Sequence, residues 1–154
     1  MKRQLKSFKN AFKGIFAAFR AESHMRFHLV AAIFVLLFAY ISEMNLCEWA
    51  ILLLTIGCVF SAELINTAIE NLCDLYSTEY NPLIGKIKDI AAGAVLILAV
   101  LAAGVALCLF LLSGRLAFAF TKLTANPIYF LPIGILGVLS LVFLIFAGRK
   151  SKKK

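Results

Sequence analysis

Four side chains with hydrogen-bonding groups, Glu63, Asn66, Glu70 and Asp74, recur three and four residues apart in the segment AELINTAIENLCD, near the end of the apolar run Trp49–Cys73. At about 100° per residue they fall at about 0°, 300°, 340° and 20° around a helix, one stripe roughly 80° wide. Hydrocarbon opposes such a stripe. A charged side chain at mid-bilayer costs at least about 2.5–3.5 kcal/mol on insertion scales, so intramembrane acids point to function. Carboxylates gathered in a chain of net charge +8 call for a cation. Hard cations such as Mg²⁺ take oxygen ligands and complete their shell with water and phosphate oxygens. Lys88 and Asp89 follow at the start of the next apolar run. A lysine there can meet a phosphate, and a helix N-terminus adds its own partial positive charge. Carboxylates, Mg²⁺ and a lysine at a membrane surface suit phosphoryl transfer from a nucleotide, which needs positioning and charge neutralisation more than covalent groups. Neither a G-x-x-x-x-G-K-S/T loop nor a protein-kinase signature is present, so spacing alone leaves the reaction open.

The elements that must position these groups are helices in a membrane. Of 154 residues, 62% are apolar, above the roughly 45–50% of soluble domains. Apolar segments run over approximately 27–42, 46–72, 90–112 and 128–147. Each is near the roughly 17–25 residues that cross a bilayer, the first being short, and none has the alternation of a barrel strand. Four spans with both termini in the cytoplasm place fourteen basic residues inside and two, Arg115 and Lys122, outside. That distribution follows the positive-inside rule and assigns the charge to topology and anionic lipid, with no nucleic-acid partner. Only Glu43 and Glu48 of the eight acids then lie outside. Ahead of the spans, Leu5, Phe8, Phe12, Ile15, Phe16 and Phe19 recur at helical spacing among lysines, the pattern of an amphipathic helix on the inner membrane surface. The four cysteines read as buried reduced thiols, Trp49 as an interface anchor, and His24 and His28 as interfacial histidines, since zinc would need a third ligand.

The segments AFKGIFAAFRAESHMRFHL, AELINTAIENLCDLYSTEYNPL and KIKDIAAGAV resemble the integral-membrane bacterial diacylglycerol kinase and undecaprenol kinase family over residues 1 to about 112. The resemblance implies an all-α, three-span homotrimer that phosphorylates a lipid hydroxyl with MgATP. It makes Glu63 the general base and gives Glu22 and Glu70 the Mg²⁺. Arg3, Asn10, Glu22, Glu70, Glu79, Tyr80, Asn81, Lys88 and Asp89 would contact the nucleotide. Asn66 and Asp74 would support the site, and Ala92 would join Glu63 against the lipid. Asn10 stands where some members have an aromatic residue, and Asn81 where histidine is frequent.

Residues 1–112 are therefore expected to form the kinase domain. Residues 113–154 would add a linker, a fourth transmembrane helix and a basic tail in an inner-membrane protein. The competing reading is a four-helix proton-coupled exporter built on membrane carboxylates. It asks for an acid near mid-bilayer with polar groups along a path, whereas these acids gather at one face. Diacylglycerol and undecaprenol each offer one hydroxyl at similar depth, and an apolar lining separates such chains weakly.

Overall fold

The computed structural model describes residues 2–77 and 79–147, so the lysines of the C-terminal tail, expected to be cytoplasmic, lie outside the described residues. The aromatic stripe of the N-terminus folds as α1 (Lys2–Ala21). Its outer half leaves Leu5, Phe8, Phe12 and Phe16 exposed, while Ala18 is buried and Phe19 meets the Phe60 ring edge-on at 5.8 Å. The chain breaks at Glu22, whose backbone is extended (φ −97°, ψ 129°), and α2 (Ser23–Ile41) begins. Arg26, 3% exposed, turns back and donates from Nη1 to the carbonyls of Phe19 (3.4 Å) and Arg20 (3.1 Å). Those carbonyls belong to the last turn of α1 and have no helical partner, so the guanidinium fixes the corner between α1 and α2.

At the far end of α2 the chain reverses through Glu43, which takes a positive φ of 54°. Asn45 then caps α3 (Leu46–Tyr76) in a reciprocal box: its side chain accepts from Glu48 N–H at 3.0 Å and its own N–H donates to Glu48 at 2.7 Å. The second reversal is capped by Asn81, whose side chain accepts from Leu83 N–H at 2.9 Å, with Pro82 opening α4 (Pro82–Ala106). A π-helical turn, Leu107–Leu112, extends α4 to a 31-residue span. Gly114, at φ 76°, occupies the left-handed region that glycine favours and starts α5 (Arg115–Ala125). A short turn at Pro127–Tyr129 leads into α6 (Phe130–Ala147). The protein is thus all-α, with four helices among the described residues long and apolar enough to cross a membrane: α2, α3, extended α4 and α6.

α3 packs along α4 and α2, α1 lies against the other end of α3, and α6 packs beside α2. One core cluster, Ala39, Met44 and Leu52 with Trp49 and Leu109, closes the far end, so Trp49 is half-buried against neighbours. Cys47, Cys58 and Cys108 lie on exposed helix surfaces and only Cys73 is buried, against the expectation of four buried thiols; all are free.

The residues expected as a linker, 113–127, fold instead mainly as α5. Arg115, Ala119, Lys122 and Leu123 repeat at three- and four-residue steps and share one face. Ala119 and Leu123 bury beside Ile41, Leu37 and Phe38 of α2. Arg115 Nε donates to Glu48 at 2.8 Å, and Nη1 donates to the carbonyls of Ser42 (2.8 Å) and Glu43 (3.0 Å). Lys122 pairs with Glu43, which raises its ammonium pKa above the ordinary lysine value by hydrogen bonding. α5 is therefore clamped over the α2–α3 turn. Arg115→Ala strands Glu48 and two carbonyls, and should lower the melting temperature in detergent by several degrees. Lys122→Ala, losing one solvent-exposed pair, should lower it clearly less, and amide exchange should quicken across 113–126 in the first variant only.

Candidate active site

The length of α3 sets the depth of its acids. Glu63 lies about 26 Å along the axis from Leu46 and Glu70 about 36 Å, at about 1.5 Å per residue. A hydrocarbon core is about 30 Å thick, so a helix that enters at Leu46 carries Glu63 to the boundary and Glu70 and Asp74 beyond it. Burial follows the same order. Glu63 is buried, Asn66 and Glu70 are half-buried, and Asp74 is exposed.

Each member of the stripe has a different partner. Glu63 Oε1 lies 3.0 Å from His28 Nε2 of α2. Asn66 donates from Nδ2 to Glu70 Oε1 at 2.8 Å, one turn along α3. Asp74 pairs with Lys88, which ties the end of α3 to the first turns of α4. Beside this pairing Ala91 is buried, and its small side chain lets α4 approach α3 closely. Glu22, at the α1–α2 corner, is half-buried within the electrostatic reach of Glu70 and Glu63. Its carboxyl is pushed above the ordinary carboxylate value, first by burial and then by the Glu70 charge, against the smaller lowering effects of His24 and Arg26.

The donor set fits a hard divalent cation. Glu22 and Glu70 repel one another from two elements, and the Asn66 Oδ1 beside them is buried without a hydrogen-bond partner. Carboxylate and amide oxygens are ligands for ions of the Mg²⁺ class. Among the described residues no group of three His, Cys, Asp or Glu side chains could hold a metal by itself. Two protein carboxylates leave room for water and phosphate oxygens.

The other residues expected at the site are not drawn into this cluster. Arg3 and Asn10 are exposed on α1, and Glu79, Tyr80, Asp89 and Ala92 are exposed around the α3–α4 turn and the start of α4. Asn81 is likewise exposed and uses its carbonyl oxygen to cap α4. Lys88, expected to face a phosphate, spends its ammonium on Asp74. Two residues have roles that their types and spacing did not assign. Arg26 builds the corner that presents Glu22, and His28 touches Glu63. A basic residue in the first turn of an apolar helix was the available signal for Arg26. For His28 the only signal was a histidine four residues after another, with its partner on a different helix.

A helical bundle with carboxylates and a lysine at one membrane boundary is compatible with a membrane-embedded phosphotransferase, and comparison with known proteins gives the family. Residues 9–110 match the model of the prokaryotic diacylglycerol kinases. The chain is 42% identical over 111 residues to an undecaprenol kinase of Bacillus subtilis, covering 72% of this chain and 90% of that one. It is 35% identical over 99 residues to a diacylglycerol kinase of Helicobacter pylori, 60% of this chain and 77% of the relative. To a diacylglycerol kinase of Escherichia coli it is 31% identical over 111 residues, covering 72% and 90%. No solved structure matches. The chain belongs to the prokaryotic diacylglycerol kinase family: it is a multi-pass membrane lipid kinase, with ATP, a divalent metal and a lipid as its reactants and cofactor.

The raised pKa of Glu22 has a sign that can be measured. The folded chain holds a proton at Glu22 more readily than the unfolded chain does. That contribution favours folding below the ordinary carboxylate value and is lost as pH rises through the raised one. A divalent cation held at Glu22 would bind the ionised form and work in the opposite direction. Added Mg²⁺ should therefore raise the melting temperature more at about pH 7.5 than at about pH 5, where protons compete for the site. Glu22→Gln should remove most of that gain, as read by differential scanning fluorimetry.

Proposed function

We propose that the protein transfers the γ-phosphoryl group of MgATP to the hydroxyl of a membrane isoprenoid alcohol, with Glu63 as general base. The lipid oxygen attacks Pγ, the bond from Pγ to the bridging oxygen breaks, ADP leaves with that electron pair, and the hydroxyl proton passes to Glu63. No phosphoenzyme is needed. The observation that carries this reading is the burial of Glu63 at the depth where α3 reaches the end of the hydrocarbon, with Glu70 two turns further out. A base must lie within about 2.6–3.2 Å of the proton it removes, and a lipid hydroxyl rides at that boundary.

Glu22 and Glu70 would hold Mg²⁺ on the ATP phosphates, which supplies charge neutralisation during transfer, and Asn66, bonded to Glu70, has a buried oxygen without a partner. Lys88 would reach the phosphates from its place beside Asp74. Arg3, Asn10, Glu79, Tyr80, Asn81 and Asp89 would complete the nucleotide site, and Ala92 would border the lipid. Their exposure in a single chain suits a site finished by the nucleotide and by neighbouring copies in a homotrimer. An open groove of 620 Å³ between α3 and α4, lined by Gly57, Ser61, Ala62, Ala91 and Ala94, supports that assembly, because small residues let helices of another copy approach closely. The charge distribution supports the cytoplasmic membrane, with both termini and the site on the cytoplasmic side. Residues 1–112 form the kinase unit in this reading, and the described part of 113–154 an accessory brace; Arg115→Ala should then keep its turnover below its lowered melting temperature.

Undecaprenol is favoured over diacylglycerol by the 42% identity to the undecaprenol kinase, against 35% and 31% to the two diacylglycerol kinases. Purified protein given MgATP with both lipids in competition should yield mainly undecaprenyl phosphate. Predominant phosphatidic acid would reverse the choice of lipid. Glu63→Gln should lower kcat by about 10²–10⁴-fold with the KM for ATP little changed. Full activity in that variant would remove Glu63 from the chemistry.

A further inference from the structure

We infer that His28 is the positioning residue of this site: its Nε2–H holds one oxygen of Glu63 and leaves the other oxygen for the lipid hydroxyl. The inference rests on the reading of Glu63 as the base. The contact spans two helices, His28 Nε2 of α2 to Glu63 Oε1 of α3, at 3.0 Å. The Glu63 side chain is 5% exposed and that of His28 21%. An ionised carboxylate oxygen can only accept, so the inferred pairing places the proton on Nε2, which lies within reach of Oε1. Phe27 meets the imidazole edge-on, with ring centroids 5.9 Å apart.

A carboxylate has two oxygens and a free torsion. In an apolar boundary region an unheld carboxylate turns toward whatever polar group it finds, and Asn66 and Glu22 are on the same side of the bundle. Holding Oε1 fixes that torsion. His28 also forms part of the wall of a 120 Å³ cleft between α2, α3 and α4, with Ala32, Val59 and Phe60. A hydrocarbon chain in that cleft would bring its hydroxyl up beside the pair. The proton balance is simple: the hydroxyl proton goes to Glu63, and the His28 proton stays on Nε2 throughout.

The full-length protein in detergent, with MgATP and undecaprenol, tests the inference. His28→Leu should lower kcat by about 10–100-fold, the scale of a misplaced catalytic group, while the KM for ATP stays within about twofold. His28→Gln places an amide N–H at the position of Nε2 and should recover most of the loss. Unchanged kcat in His28→Leu, or a loss that His28→Gln does not recover, would overturn it. The chain has two histidines, His24 and His28, so ¹⁵N-histidine spectra give a reading independent of turnover. Glu63→Gln should move the His28 Nε2–H resonance and leave His24 in place, and a His28 signal that stays put would also overturn the inference. That spectrum decides the matter if His28→Leu fails to fold. A wild-type protein that phosphorylates neither undecaprenol nor diacylglycerol would remove the kinase reading, while the spectrum still reports on the contact.

Discussion

The intolerance of hydrocarbon for unpaired charge organises this protein. α3 has 31 residues and is longer than a bilayer core is thick, and its surplus is where the acids are. One residue set earlier would be apolar and invisible to the nucleotide; one set later would lose the lipid. Glu63 occupies the turn of helix where both solvents are within reach, and its near-complete burial is tolerable because His28 supplies a partner. Asn66, Glu70 and Asp74 step outward from it toward increasing exposure, so one helix carries a polar gradient from the hydrocarbon boundary to water.

The two ends of the bundle treat charge differently. At the far end, Glu43 is paired with Lys122 and Glu48 with Arg115, and the Arg115 guanidinium also satisfies two turn carbonyls. At the site end Asp74 is paired with Lys88, whereas the Glu22 carboxyl is raised first by burial and then by the Glu70 charge, against the smaller lowering effects of His24 and Arg26. Charges that hold the fold are neutralised within the chain. Those left unneutralised are where an external cation has something to gain.

Much of this was legible in the residues. Periodicity located the amphipathic α1, the four spans and the polar stripe, because each depends on neighbours three and four positions away. What stayed hidden depends on contacts between helices. His28 and Glu63 are thirty-five positions apart, Arg115 and Glu48 sixty-seven, and no local pattern links them. The α5 segment lies between two apolar runs and carries Arg115 and Lys122, so hydropathy alone leaves it as a linker. Its alanine and leucine face becomes recognisable only once α2 supplies the surface that covers it. Lys88 has a partner that its type did not reveal: Asp74, on the stripe already identified, pairs with its ammonium.

These features meet on α2. One end of this helix carries Arg26, which builds the Glu22 corner, and His28, which lies against Glu63. The other end is gripped by the α5 clamp, and α6 packs alongside. The two grips do different work. Carboxylate positioning tolerates errors of only about 0.5 Å, and on the site side α2 offers Arg26 to the corner and His28 to Glu63. The C-terminal region contributes no acid to the site, and its clamp holds the opposite end of α2 and the α2–α3 turn.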